Sequence, residues 1–93
     1  MATYYDITLT ANIPQGSDIL NKSCTVVFIY PEGSHSHPSY SGTVESSPSA
    51  NTVRISSAVL NIEAGWVGAN GGTLTINTGG GLAFGISAFS KVP

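Results

Sequence analysis

Alternation of period two, cut into short runs by glycine and proline, is the feature that most constrains this chain. In residues 4–13, Tyr5, Ile7, Leu9, Ala11 and Ile13 share one face; Tyr4, Asp6, Thr8, Thr10 and Asn12 share the other. This is the pattern of a strand with one buried side. Pro14 and Gly16 break it within residues 14–18. Ile19 and Leu20 in the following connection are expected to tuck against the end of the core. Residues 24–30 (CTVVFIY) are β-branched or aromatic on both faces, which predicts a central strand covered on both sides.

Residues 31–39 (PEGSHSHPS) read as a loop of turn formers, and 40–46 as a short polar strand at an edge. Residues 47–51 (SPSAN) read as a further turn. Residues 52–63 suit one long strand with a bulge at Ser56 and Ser57, or two strands. Glycine-permissive turns at 70–72 and 79–81 flank two alternating runs, 72–78 and 82–89, so that 70–89 predicts a hairpin. In the second run Leu82, Phe84, Ile86 and Ala88 are expected to share one face. The one candidate helix, 56–66, is weakened by Val59, Ile62 and Gly65. The chain is therefore expected to be all-β, a small antiparallel β-sandwich or barrel of six to eight strands, folded as a single domain over residues 1–93.

Charge excludes several functions. Only 9% of residues are charged, against about 25% in an average domain. Lys22, Arg54 and Lys91 are dispersed, so no basic patch is available for nucleic acid or acidic lipid. Serine, threonine, asparagine and glycine fill the deficit and give a neutral, hydroxyl-rich surface. A surface with so little repulsion between copies is compatible with self-association. Cys24 is the single cysteine, so no internal disulfide can form, and residues 1–10 lack the features of a secretory leader. A cytoplasmic location is the simplest expectation, and the glycosylation sequon at 21–23 would then go unused.

No catalytic constellation emerges, and the chain is not expected to be an enzyme or to need a cofactor. No nucleophile elbow surrounds any serine. Cys24 opens an apolar strand, which points to burial rather than reactivity. The glycine runs match neither phosphate-loop pattern, and the five scattered carboxylates form no calcium cluster. His35 and His37, with Glu32 nearby, are the one pair that could ligate a metal. Zinc would need further donors, for which Asp18 and Glu45 are candidates, but solvated loop histidines account for the pair as well.

Neutral sugars require a flat apolar ring against the C–H face and short polar groups for the hydroxyls. Two loops offer such groups. One holds Trp66 and Asn70 among glycines that permit close approach of a ligand. The other holds His35, His37 and Tyr40, and Tyr4 or Tyr5 could join either. Trp66 either plugs the core from a bend or stands beside a ligand groove, and the surrounding glycines favour the groove.

A short, cysteine-poor β-chain that begins Met-Ala-Thr and is dominated by Ser, Thr, Gly and Asn resembles the small soluble lectins of fungal fruiting bodies. The resemblance implies a cytosolic defence protein, a dimer, that reads galactose-type or other neutral glycans. Two further readings stand beside it. One is a cytolysin-like protein that meets the membrane through glycolipid or neutral lipid. The other is a structural module that assembles through an exposed sheet edge at 72–78 or 82–89.

Overall fold

The structure, a computed structural model, describes residues 3–29, 39–60 and 71–92. Six strands are present among them: β1 (Thr3–Leu9), β2 (Ser23–Phe28), β3 (Tyr40–Ser49), β4 (Thr52–Ser57), β5 (Gly72–Ile76) and β6 (Leu82–Lys91). They close into one antiparallel barrel in the order β1-β4-β3-β2-β5-β6, with β6 returning to β1. The expected all-β class is present, and of the two architectures left open it is the barrel. β2, β3 and β4 form a meander, and β5 returns to lie beside β2, which is a Greek key.

Alternation explains the core. Tyr5, Ile7 and Leu9 of β1, Cys24, Val26 and Phe28 of β2, Val53 and Ile55 of β4, and Leu74 and Ile76 of β5 all point inward and are buried. The hairpin expected over 70–89 forms as β5–β6, with Leu74 opposite Phe84 and Ile76 opposite Leu82.

Closure corrects several local expectations. β2 is not covered on both sides, because Thr25 and Val27 on its outer face are only half-buried. Each barrel strand has a single interior face. β3 is neither short nor an edge: it runs ten residues and pairs with both β2 and β4. Two register shifts bend it, one between Val44 and Ser46 and one between Ser46 and Ser49, where Pro48 has no N–H to give the ladder. The turn expected over 47–51 shrinks to residues 50–51.

β6 departs from alternation. Thr8 faces Ala88 but Leu9 faces Ile86, so Ser87 is an extra residue, a bulge. After it the phase inverts: Ala88 is exposed and Phe89 enters the core. The Phe89 ring lies 5.0 Å from that of Phe28 and 6.1 Å from that of Tyr5, both tilted. Tyr5 is therefore a core residue whose hydroxyl donates to the Leu60 carbonyl at 3.1 Å, not a ligand platform. Tyr4 stands on the outer face, exposed.

Arg54 on β4 and Asp6 on β1 are cross-strand partners on the outer face. Nε and Nη2 of Arg54 donate to Oδ1 and Oδ2 of Asp6 at 2.7 and 2.9 Å. This bidentate contact holds the Asp6 carboxyl below its ordinary 3.8. A depressed carboxyl pKa stabilises the fold above the unfolded value and loses that contribution as pH falls through the folded value. Urea midpoints of the wild type should accordingly fall once the pH drops below about 3.8, and Asp6→Asn should flatten that part of the profile while lowering stability near neutrality.

Candidate functional site

The topology gathers the roots of the two segments singled out by the sequence. β2 ends at Phe28 opposite Gly72, where β5 begins, and Val26 faces Tyr40, where β3 begins. β4 ends at Ser57, whose hydroxyl donates to the Ser41 carbonyl at 2.8 Å. The chain thus leaves for 30–38 and for 61–70 from one end of the barrel. His35, His37, Trp66 and Asn70 lie outside the described residues, so their side chains are not placed. Tyr40 is described: it is half-buried at the mouth of this end and packs partly against the core.

The root of the 61–70 segment is firmly built. The Ser57 hydroxyl, buried, also accepts from the backbone N–H groups of Val59 and Leu60 at 3.2 and 3.0 Å. This turns the chain sharply after β4 and drives Leu60 into the core, where its carbonyl meets Tyr5. The two additional zinc donors considered from the sequence are elsewhere. Asp18 pairs with Lys22 at 3.7 Å in the β1–β2 connection, at the opposite end, and Glu45 accepts a hydrogen bond from Ser56 at 2.6 Å. Among the described residues no three His, Cys, Asp or Glu side chains come together to hold a metal.

Cys24 is 1% exposed, and burial pushes its thiol up to about 11. It lacks the electropositive, accessible setting of a nucleophile. The proposed edge at β5 and β6 is also closed, since β5 pairs with β2 and β6, and β6 with β5 and β1. No helix among the described residues is long and apolar enough to cross a membrane.

The sequence reading missed a second feature at the far end. β1 and β2 are not neighbours, so residues 10–22 must pass the ends of β4 and β3 to join them. This connection is pinned twice. The Ile13 N–H donates to the Ala50 carbonyl at 2.8 Å; the Asn21 N–H donates to the Val44 carbonyl at 2.8 Å and the Val44 N–H to the Lys22 carbonyl at 2.9 Å. Between the pins it forms an arch braced within itself, through Ser17 N–H to Pro14 O and Lys22 N–H to Ile19 O, both at 3.2 Å. Ile19 drops into the core as expected, while Leu20 stays half-exposed. An open hollow of about 620 Å³ lies between arch and bent strand, lined by Ile13, Ile19 and Leu20 and by Asn12, Gln15, Ser17, Glu45, Ser46, Ser47 and Ala50. Its volume is within the range of roughly 300–1,000 Å³ typical of small-molecule sites. Asn12 and Gln15 gave no signal in sequence, because they come to line one hollow with Glu45 only through the way the arch passes the end of β3.

Compared with known proteins, the chain matches no family model, no curated protein and no solved structure. Its function is therefore argued from its own side chains, and the likeness to fungal lectins remains one of composition.

Proposed function

We propose that this chain is a non-catalytic module that binds neutral glycans at the barrel end where the 30–38 and 61–70 segments are rooted. One observation supports the reading: the roots of both segments, far apart in sequence, leave one end of the barrel near Tyr40, and the Greek key sets the start of β5 directly beside the end of β2. The segments supply the ring and the short polar groups that sugar recognition needs: Trp66 and Asn70 from one, His35 and His37 from the other. The sparse charge of the chain suits a ligand without ions. A cytoplasmic location and a homodimer belong to this proposal, the latter because two sites per assembly raise avidity.

A glycan array on the purified protein tests it. Binding to neutral, galactose-type glycans is expected, with loss in Trp66→Ala and weakening in Asn70→Ala, His35→Ala and His37→Ala. Tyr40→Phe probes that position, because Tyr40 packs partly against the core and truncation to alanine would confound binding with stability. Binding to no neutral sugar overturns the reading. Val59, 57% exposed at the same end, favours the lipid alternative. Pelleting with neutral liposomes that free sugar does not compete would decide for it.

A further inference from the structure

We propose that the hollow under the arch is a separate binding site for a sugar carrying a protonated amine. Its construction is that of a ligand site rather than of a packing defect. The arch is fixed on both sides of the hollow, to Ala50 in the β3–β4 turn and to Val44 of β3, and between those points its backbone bonds only to itself. The floor is aliphatic, with Ile13 and Ile19 held by the core and Leu20 half in solvent. Such a floor fits the C–H face of a pyranose. The amides of Asn12 and Gln15 and the Ser46 hydroxyl stand around it as donors and acceptors for ring hydroxyls.

The charge selects the ligand. Among the described residues, Glu45 is the one acidic or basic side chain that lines the hollow. Its Oε2 accepts from Ser56, and among the described residues no cation is paired with it. Lys22, the cation of the arch, is directed to Asp18 and lines a different, smaller hollow with Thr78 and Leu82. A neutral sugar would leave the carboxylate without a counter-charge, an acidic sugar would be repelled, and an ammonium group meets it. Glu45 is the extra residue of β3 between Val44 and Ser46, left without a partner in the register, and a bulge of this kind re-aims its side chain.

The hollow and the loop-bearing end are at opposite ends of the barrel, so the two proposals stand or fall separately. The experiment is an NMR titration of the full chain with glucosamine, N-acetylglucosamine and glucose, in buffer where the sugar amine is protonated. Glucosamine is expected to shift resonances of residues 12–20 and 45–50 and to bind up to about fivefold tighter than the two neutral sugars, the scale of a partly exposed ion pair. Glu45→Gln keeps a partner for Ser56 and should make the three sugars equal. Leu20→Ser should weaken all three alike. The proposal is overturned if glucosamine shifts none of these residues, if the wild type binds the three sugars equally, or if the preference survives in Glu45→Gln. Trp66→Ala should leave the glucosamine result unchanged, and an effect of that variant on the preference would also overturn it.

Discussion

Gly72→Ala is expected to lower stability by about 3 kcal/mol or more, at the severe end for a single substitution. Gly72 opens β5 at φ +150°, a backbone conformation that L side chains rarely adopt. A Cβ built there would collide with the Val27 carbonyl oxygen and stand 2.9 Å from the Phe28 Cα. Both atoms belong to the backbone of β2, which is laddered to β5 and β3, so nothing nearby can yield cheaply. A domain of this size is stable by only about 5–15 kcal/mol, and each kcal/mol moves its Tm by roughly 4–8 °C. A drop of some 12–24 °C by calorimetry is the expected result. Gly79→Ala is the control. It shares a positive φ, +84°, but a Cβ there meets nothing within 4 Å. Only the left-handed backbone penalty of about 1–2 kcal/mol should remain. Equal losses at the two positions would show that the close approach of β2 to β5 does not matter.

Phe89→Ala should be comparably severe, at about 3–5 kcal/mol. Phe89 is the hub of the aromatic group at the loop-bearing end, in contact with both Phe28 and Tyr5. Truncation leaves a cavity between rings held by separate strands, β1 and β2, whose ladders resist collapse. Ala88→Ser, one residue earlier, should change stability by less than about 0.5 kcal/mol because Ala88 is exposed. The pair tests the bulge directly. Under uninterrupted alternation from Leu82, Ala88 would face the core and Phe89 the solvent, and the order of the two effects would reverse. Urea unfolding of both variants reads the difference.

Much of the barrel was legible in the sequence because burial on one face of a strand leaves a period-two trace. The runs in β1, β4, β5 and the start of β6 show it, and so do the turn residues between β5 and β6. The trace fails where the register shifts. Nothing in Ile86, Ser87 and Ala88 announces an extra residue, since its position is set by how β1 and β6 must pair while the barrel closes. The polar run in β3 looked like an edge for a similar reason: its bulges and its outward hydroxyls dilute the inward signal of Tyr40 and Val44.

The candidate sites divide in the same way. Trp66, Asn70, His35 and His37 stood out as residue types suited to neutral ligands, and Tyr40 as their neighbour in one loop. That 30–38 and 61–70 leave from one end follows from the antiparallel run of β2, β3 and β4; that their roots are adjacent was not readable, because it depends on β5 returning beside β2 rather than β4. Tyr5 could be assigned to the inward face by alternation, and the structure seals it there with its hydroxyl on Leu60.

By itself the sequence determined which residues shun water and where the chain can turn, and hence the strand-rich class, the neutral surface and the lack of a basic or metal-rich motif. These are local properties, written in side-chain chemistry and spacing. Only the tertiary structure decided that the sheet closes, which strands are neighbours, and that Asn12, Gln15 and Glu45 line one hollow under the arch. Those outcomes depend on pairings between residues tens of positions apart, and a pairing register leaves no mark on either strand alone.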